Sequence, residues 1–441
     1  MHQKNGNGTF TSKLGFVLAA VGSAVGMGNI WMFPYRTGQY GGAAFLIPYL
    51  LFIALFGYVG LSGEFAFGRM TGTGPIGSYE FAMKSRGRKG GALLGTIPLL
   101  GSLGIAIGYA IIVGWVLRSA FGALTGSLMN TEPETFFAEM SSTDFSSVPW
   151  HIIVILITAA VLIFGISGGI EKINKVMMPT FFILFVIIAA RVAFLPNAIE
   201  GYKYLLVPQW EYLFNPRTWI MAMGQAFFSL SITGSGMIIY GSYLPKNEDV
   251  VHSSCMTAVL DTCAAMLAGF AILPSVFSFG LDPASGPKLL FITLPRVFQQ
   301  MPFGRLFAFF FFLSVLFAGI TSLANMLEAV SEAAQTRLKL NRKAAVLLAC
   351  GAALAVGLFI ERDALMGTLM DVITIYVVPI GAILGAVMAY WVLGIDKMEA
   401  ELMNGRSKPL SRAFAPLAKY VYIFLAALVV FFSFIIPGGI G

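Results

Sequence analysis

The stretch that decides the fold is GFVLAAVGSAVGMGNIWMFPY, residues Gly15 to Tyr35. It is apolar enough to cross a bilayer, but Gly22, Gly26 and Gly28 crowd its middle. A glycine in a helix interior costs roughly 1 kcal/mol relative to alanine, so this cluster favours an opening of the helix. Because an open backbone inside a membrane is tolerated only where it lines a cavity within the protein, we predict two half-helices with an irregular joint near residues 23–28.

A second stretch of the same kind lies far downstream. Residues Trp219 to Tyr243, WIMAMGQAFFSLSITGSGMIIYGSY, are mostly apolar and contain a run of small residues at 231–236. We predict a second interrupted helix there. Interrupted helices at corresponding places in the two halves of a chain indicate the binding site of a secondary transporter.

The composition is that of a polytopic membrane protein. Of the 441 residues, 57% are hydrophobic and only 11% are charged, whereas about 25% of the residues of a soluble domain are charged. We expect one transmembrane domain over residues 1–441 without a cleavable signal peptide, because residues 1–12 are polar and the first apolar run is too long for one. The net charge of +7 fits basic cytoplasmic loops and not a nucleic-acid-binding patch. Cys255, Cys263 and Cys350 lie in or beside apolar runs and predict neither a disulfide framework nor a metal site.

Apolar windows of about 20 residues predict about eleven membrane-spanning helices, which we call segments 1 to 11. They cover residues 13–36, 42–70, 92–125, 148–167, 170–194, 217–243, 249–281, 303–336, 343–360, 365–395 and 415–436. Lysines and arginines concentrate in alternate loops, at 84–89, 172–175, 337–343 and 397–412, whereas the loop 126–147 is acidic and has neither. Because basic loops stay in the cytoplasm, we predict a cytoplasmic N-terminus and an extracellular C-terminus. The loop 282–302 is predicted to be a helical hairpin that dips toward an extracellular vestibule.

Six motifs resemble those of the neurotransmitter:sodium symporters, most closely the bacterial amino-acid transporters of that family. They are GSAVGMGNIWMFPY, GGAAFLIPY, SGEFAFGR, GISGGIEKINKVMMPTFFILF, GQAFFSLS and FAGITSLANMLE, in the family's order between about Phe10 and Tyr390. The resemblance implies an all-α membrane fold of two inverted five-helix repeats, here at about 13–194 and 217–395, with broken segments 1 and 6 and an extra helix at 415–436. It also implies a multi-pass protein of a bacterial inner membrane. Many relatives have a twelfth helix, and this chain is expected to stop after the eleventh, which leaves the oligomeric state open.

The resemblance implies two sodium sites, in which a broken helix supplies free carbonyl oxygens. One site combines carbonyls of segments 1 and 8 with two hydroxyls and corresponds to Gly22, Val25, Ala318, Thr321 and Ser322. The other corresponds to Ala24, Asn29, Ser229 and a side chain of segment 7, Asp261. Two alternatives stay open: the Thr321 and Ser322 hydroxyls could bond to carbonyls one turn earlier in their own helix, and Asn29 could cap the second half-helix of segment 1.

An amino-acid substrate presents a carboxylate, which suits free N–H groups at a helix start, and an ammonium, which suits free carbonyls. The resemblance assigns the carboxylate to the amides of Ala24 and Gly28 and to the hydroxyl of Tyr109, which could instead be an ordinary core tyrosine. It assigns the ammonium to three carbonyls of the segment 6 break, those of Phe228, Ser229 and Ser231.

The pocket for the substrate side chain is implied by the same resemblance. It corresponds to Ser23, Met27, Ile105, Phe228, Gly234, Ser235 and Met326. A leucine-preferring relative has a phenylalanine where this chain has Gly234, so the glycine is expected to make room for a bulky hydrophobic or aromatic side chain; it could instead serve only the backbone. Monoamine carriers have an aspartate at Gly26, so the substrate here is expected to bring its own carboxylate. A small or branched aliphatic amino acid is the alternative substrate.

Other polar positions bear on the break and the gates. Glu64 is expected to accept backbone N–H groups at the break of segment 6. Met32 stands where many relatives have an outer-gate arginine, opposite Asp371, and Arg36 is not assigned to that role. The inner-gate pair of the family falls on Asn7 and Thr336, which cannot form an ion pair, so we expect Tyr243 and the packing of Phe10 to close that side.

Asp261 is expected to make chloride unnecessary. Relatives that need chloride hold it with a tyrosine, a glutamine and serines; Tyr49, Gln225 and Ser229 are present here, but the serine of segment 7 is replaced by Ala265. A buried carboxylate needs compensation, so Asp261 is expected to face Na+ and to supply the charge that chloride supplies elsewhere. After Na+ leaves, the carboxylate is expected to take up a proton, so that an inside-acid gradient would stimulate uptake. A solvated aspartate lining the vestibule is the alternative.

Two other function classes make different predictions. A substrate-gated channel or sensor on the same fold predicts conductance or signalling without concentrative uptake. A membrane enzyme is disfavoured, because His2, His151 and His252 form no metal-ligand cluster and no nucleophile–base arrangement is visible.

Overall fold

The computed structural model describes residues 8–143, 145–281 and 289–440. These residues form helices joined by short loops, and no strand occurs among them. The predicted all-α fold is therefore confirmed. The predicted inner-gate position Asn7 and the first arm of the predicted 282–302 hairpin lie outside the described residues.

A helix occupies each of the predicted apolar windows. In chain order they are Lys13–Ala24 with Gly28–Gln39, Ala43–Thr71, Gly91–Thr125, Val148–Ile163, Ile166–Val192, Pro216–Ser229 with Gly236–Gly241, Val250–Ser278, Gly304–Arg337, Arg342–Gly357, Asp363–Met403 and Phe414–Ile435. Shorter helices connect them: Pro75–Lys84, Ser127–Asn130, Pro133–Ser141, Ala198–Leu206, Trp210–Leu213 and Leu294–Gln300, the last preceded by a π-turn at Leu289–Thr293.

Helix length alone supports fewer spans than the apolar windows do. Among the described residues, 7 helices are long and apolar enough to cross a membrane, and the bent pair of segment 1 makes 8. Segments 4 and 9 are helices of 16 residues each, and segment 6 is divided into two pieces. The longest helix bends aside at Gly394, whose φ of +104° is not helical; segment 10 therefore ends there, next to its predicted end.

Both predicted breaks are present. In segment 1 the two half-helices meet at an angle of 57°, and Val25, just after the first half, is extended with ψ of 110°. In segment 6 the helix stops at Ser229 and resumes at Gly236, and between them Ser231 and Gly234 have φ of +51° and +73°. The backbone groups of both breaks are thus freed from helical hydrogen bonding at the centre of the molecule.

The broken segments are enclosed by long, straight helices. Segments 3 and 8 lie along each other so closely that a Cβ added at Gly319 would be 2.7 Å from Cγ2 of Val113. The second arm of the 282–302 loop is helical, as predicted, and Phe291 stacks on Phe137 with ring centroids 5.4 Å apart. These contacts stabilise the packing of the helices that surround the two breaks.

Candidate functional site

The first predicted ion site is assembled where segment 8 passes the break of segment 1. The Thr321 hydroxyl lies 2.8 Å from the Gly22 carbonyl oxygen and 3.0 Å from that of Ala318. The Ser322 hydroxyl lies 3.1 Å from the Gly22 oxygen and 3.2 Å from the Val25 oxygen. All five predicted residues therefore come together. Thr321 also reaches the Phe317 carbonyl at 3.0 Å, one turn earlier in its own helix, so both interpretations of this hydroxyl hold at once.

The donors of this cluster are neutral oxygens that are shielded from water. Thr321 is fully buried and Ser322 is 2% exposed. Carbonyls of an unwound helix together with side-chain hydroxyls are the donors with which transporters of this type coordinate Na+. The residues present fit that ion.

The second predicted ion site centres on Asp261 of segment 7, which is fully buried. The Ser229 hydroxyl donates to Oδ2 of Asp261 at 2.6 Å, and the Asn29 carboxamide nitrogen donates to Oδ1 at 2.8 Å. The same Asn29 nitrogen also lies 3.1 Å from the Ser229 hydroxyl. Ala24, at the end of the first half-helix, lines the adjacent cavity. The cluster holds one carboxylate among neutral groups, which fits a monovalent cation better than an anion.

Asn29 also caps the break. Its Oδ1 accepts a hydrogen bond of 3.1 Å from the Gly26 amide. The capping role and the proximity to Asp261 therefore coexist. In this geometry the carboxamide nitrogen faces Asp261, while Oδ1 keeps a second lone pair beside the hydrogen bond from Gly26.

The polar groups expected around chloride lie beside this cluster. Gln225 donates to the Gly28 carbonyl at 2.9 Å, and Tyr49 is fully buried nearby, in contact with Phe33 at a ring distance of 5.1 Å. Ala265 is fully buried and contributes only a methyl group.

A cavity of about 40 Å³ lies between the two breaks and segments 3 and 8. Nine of the predicted substrate residues line it: Ser23, Ala24, Met27, Gly28, Ile105, Tyr109, Phe228, Ser231 and Met326. Ser102, Thr233, Gly236 and Asn325 also line it and were not predicted. Asn325 donates to the Gly236 carbonyl at 3.0 Å, so it supports the segment 6 break as well.

Tyr109 is more than a core tyrosine. Its hydroxyl accepts a hydrogen bond of 3.1 Å from the Met27 amide, in the break of segment 1. A Cβ at Gly26 would collide with this hydroxyl and would lie 3.0 Å from the Ser322 hydroxyl. The structure therefore has no space for a side chain at Gly26, where monoamine carriers have an aspartate.

The other three predicted substrate residues do not line the cavity: Ser229, Gly234 and Ser235. The position of Gly234 favours the alternative that this glycine serves only the backbone. Gly234 has φ of +73°, and a Cβ there would collide with the carbonyl oxygen of Gly381 in segment 10 and lie 2.7 Å from the Tyr79 hydroxyl. Its amide donates to Oε1 of Glu64 at 2.7 Å. The glycine is needed for the left-handed backbone and the close approach of segment 10. Glu64 has the expected role of accepting an N–H group at the break.

A larger cavity of about 270 Å³, which we call the vestibule, adjoins the first one. Met27, Tyr109 and Phe228 belong to the walls of both, so they form the boundary between them. Met32 and Asp371 line the vestibule. Arg36 does not, because its guanidinium is buried and bonds to the carbonyls of Met221 and Ile440.

The opposite side of the site is closed, and the expected residues take part. The Phe10 amide donates to the Tyr243 carbonyl at 3.2 Å, and the Phe10 ring packs edge-on against Phe16 and Tyr240 at 5.2 and 5.8 Å. The Thr336 hydroxyl bonds one turn back, to the Glu332 carbonyl at 2.9 Å.

An ion pair that was not predicted completes this closure. Glu328 is fully buried and accepts hydrogen bonds of 2.7 and 2.6 Å from the Arg342 guanidinium and of 2.6 Å from the Tyr243 hydroxyl. The signal in the sequence was an acidic residue within an apolar segment, which is a functional hypothesis by default.

The histidine of segment 4 does not form a hydrolytic site. His151 pairs with Glu361 at 2.6 Å, and Ser147 donates to the other oxygen of the same carboxylate. The carboxylate thus lies between serine and histidine, so the histidine cannot act as a base toward the serine.

Comparisons with known proteins agree with this architecture. The sequence model of the sodium:neurotransmitter symporter family matches residues 7–146 and 136–437. The chain is 40% identical over 325 residues to the uncharacterized sodium-dependent transporter YhdH of Bacillus subtilis, covering 73% of this chain and 71% of that protein. It is 34% identical over 417 residues to an uncharacterized sodium-dependent transporter of Methanocaldococcus jannaschii, covering 88% and 83%.

The fold is also found among solved structures. The crystal structure of MhsT in complex with L-phenylalanine superposes with a TM-score of 0.87 at 30% identity and covers 97% of this chain and 100% of that one. The match of the family model over nearly all of the chain, together with this likeness, establishes the assignment. The chain belongs to the sodium:neurotransmitter symporter family, whose members are multi-pass membrane transporters and not enzymes.

Proposed function

We propose that the protein is a sodium-coupled symporter of amino acids that works by alternating access, binds two Na+ ions and does not need chloride. The observation that carries the proposal is the buried carboxylate of Asp261 between Ser229 and Asn29, at 2.6 and 2.8 Å, next to the break of segment 1. A buried charge without compensation is strongly destabilising, so a bound cation suits this place. The carboxylate supplies the negative charge beside Na+ that chloride supplies in other family members.

The two ion sites differ in their charge. The cluster around Thr321 and Ser322 offers neutral oxygens only, whereas the cluster around Asp261 offers a formal negative charge. Once Na+ has left Asp261, protonation removes the unfavourable buried charge, and the empty carrier returns with a proton. An inside-acid pH gradient therefore stimulates uptake.

The substrate is an amino acid with its own carboxylate. A Cβ at Gly26 would lie 2.4 Å from the Tyr109 hydroxyl, so this position is not expected to supply a carboxylate from the protein, which favours a substrate that carries its own. The freed amides of the segment 1 break bind that carboxylate, and the freed carbonyls of the segment 6 break bind the ammonium.

Bulky hydrophobic or aromatic side chains are the proposed specificity. The related MhsT was crystallised with L-phenylalanine. Here Met27 and Met326 form part of the cavity wall, and methionine side chains adapt to ligands of different shape. The narrowness of the cavity, about 40 Å³, favours small aliphatic amino acids as the second candidate, since a large side chain requires these methionines to move.

Alternating access is favoured over a channel. The vestibule leads to the cavity from one side, whereas Phe10, Tyr243 and the pair of Glu328 with Arg342 close the other side. A continuous pore needs both sides open together. The distribution of basic loops supports an orientation in a bacterial inner membrane with the closed side in the cytoplasm and the vestibule outside.

Substrate identity is tested by counterflow in proteoliposomes loaded with one unlabelled amino acid at a time. Phenylalanine or tyrosine inside is expected to drive uptake of the same labelled amino acid in Na+ and not in choline. Exchange restricted to alanine or glycine would support the second candidate, and conductance without counterflow would support a channel.

A further inference from the structure

Residues 436–440, which follow the last helix, fold back into the protein. Segment 11 ends at Ile435, and residues 436–440, which we call the tail, turn through a hydrogen bond of 2.9 Å from the Gly439 amide to the Ile436 carbonyl. Gly438 and Gly439 have φ of +79° and +69°, a left-handed conformation that glycine adopts without strain. Ile440 is fully buried. The tail is therefore a packed element.

The tail is held by a buried arginine. Arg36, in the second half-helix of segment 1, is 4% exposed, and its Nη1 donates to the Ile440 carbonyl at 2.7 Å. The same nitrogen lies 3.3 Å from the carbonyl of Met221 in the first half of segment 6. One guanidinium thus joins the tail to the halves of both broken segments that face the vestibule.

The tail packs into a space between Gly224 of segment 6 and Ile375 of segment 10, which we call its seat. A Cβ at Gly224 of segment 6 would collide with the carbonyl oxygen of Ile440, and the three nearest atoms to it all belong to Ile440. On the other side, a Cβ at Gly439 would lie 2.7 Å from Cγ1 of Ile375 in segment 10. The tail thus fills the space between segments 6 and 10.

The seat is next to the transport path. Gly438 is part of the vestibule wall together with Asp371 of segment 10. Ile440 lines a small cavity with Phe228 and Thr233, and these two residues also line the candidate substrate cavity. The tail therefore touches segments 1, 6 and 10, which line the vestibule together with segment 3.

We propose that the tail is a positioning element for transport, which joins the vestibule-facing parts of segments 1, 6 and 10 into one unit so that they close together over bound substrate. Arg36 and Gly224 are its anchoring residues. The proposal rests on the proposed function for its transport role. Without the tail, Arg36 loses an acceptor inside the protein and the seat between segments 6 and 10 empties, so the vestibule stays open more of the time.

The test compares the full chain with a variant that is terminated after Ile435. Both proteins lack the native cysteines and carry Gly367→Cys, whose labelling rate reports how open the vestibule is. Gly367 lines the vestibule, and no atom lies within 4 Å of a Cβ there. Truncation is expected to raise the labelling rate of this cysteine several-fold and to raise the substrate concentration for half-maximal uptake by a similar factor. An unchanged labelling rate would overturn the proposal.

A double-variant cycle distinguishes the loss of the tail contact from a general disturbance of the structure. Gly224→Ala places a methyl group in the seat, so it should mimic truncation in the full chain and have no further effect in the truncated chain. Additive effects would mean that Gly224 acts independently of the tail and would contradict the proposal. If truncation prevents folding, two substitutions in the full chain are compared instead. Ile440→Asn puts a polar group into the buried seat, and Pro437→Ala changes an exposed tail position. Equal labelling rates in these two variants would also contradict the proposal.

The labelling rate needs no transport. If the wild-type protein shows no Na+-dependent binding of any amino acid, the proposed function fails, and the comparison of labelling rates still decides the role of the tail.

Discussion

The side chains of Ser229 and Asp261 meet between the break of segment 6 and the middle of segment 7, where the serine hydroxyl donates a hydrogen bond of 2.6 Å to the carboxylate. Asn29 bonds the other carboxylate oxygen at 2.8 Å. Both partners are neutral donors, so they orient the charge without balancing it. A cation bound beside them would balance it, which is why we propose that Asp261 takes part in Na+ coupling.

Removal of this charge should change the anion requirement. Asp261→Asn is expected to make uptake dependent on chloride or to abolish it, because the site then lacks a negative charge near Na+. Asp261→Glu keeps the charge and serves as the control. Uptake by Asp261→Asn that equals wild type in chloride-free buffer would show that the carboxylate is not part of the ion site.

The hydroxyls of segment 8 should set the Na+ requirement. Thr321→Ala removes a donor 2.8 Å from the Gly22 carbonyl and is expected to raise the Na+ concentration for half-maximal uptake roughly tenfold, about 1.4 kcal/mol. Ser314→Ala is a matched control, because this hydroxyl lies in the same helix and bonds to the Phe310 carbonyl at 2.7 Å, one turn back. An unchanged Na+ dependence of the Thr321→Ala, Ser322→Ala double variant would remove the assignment.

Gly234 should support the fold of the break and not the choice of substrate. Gly234→Ala is expected to lower uptake of large and small amino acids by the same factor and to lower the melting temperature, since a left-handed backbone costs a residue with a Cβ roughly 1–2 kcal/mol and this Cβ also meets Gly381. Competition assays with phenylalanine and alanine measure the factor for each. A shift of preference toward small substrates would restore the original prediction that the glycine makes room.

The ion pair of Glu328 with Arg342 should hold the closed side. Glu328→Gln is expected to destabilise this closure by about 1–2 kcal/mol, because the buried pair loses its charge-assisted hydrogen bonds. Labelling of a cysteine at Ser23 from the cytoplasmic side should then become roughly tenfold faster. Thr336→Ala is the control on the same helix; equal labelling in both variants would mean that the pair does not gate access.

The parts of the site that depend on local sequence could be predicted. Clusters of glycine and other small residues predicted the positions of both breaks. The family resemblance predicted that Thr321 and Ser322 contact carbonyls of segment 1 and that Glu64 contacts the break of segment 6. The resemblance alone left two interpretations of Gly234 open, because whether a position faces a cavity or a neighbouring backbone depends here on the approach of Gly381, which lies far away in the chain.

Long-range contacts to which the family resemblance does not extend could not be predicted. The tail binds Arg36 across 404 residues, and no periodicity or spacing relates these positions. Arg36 and Glu328 are each a charged residue within an apolar segment, which indicates that a buried partner is needed. The sequence does not say which residue that partner is, because this depends on how the helices pack.

The central claim is most directly tested by uptake of labelled amino acid into proteoliposomes with the wild-type protein, in which external Na+ is replaced by choline and, separately, chloride on both sides is replaced by gluconate. We predict that uptake disappears without Na+ and is unchanged without chloride. Uptake that persists in choline, or that collapses in gluconate, would contradict the assignment of Asp261 as the charge that couples Na+ to transport.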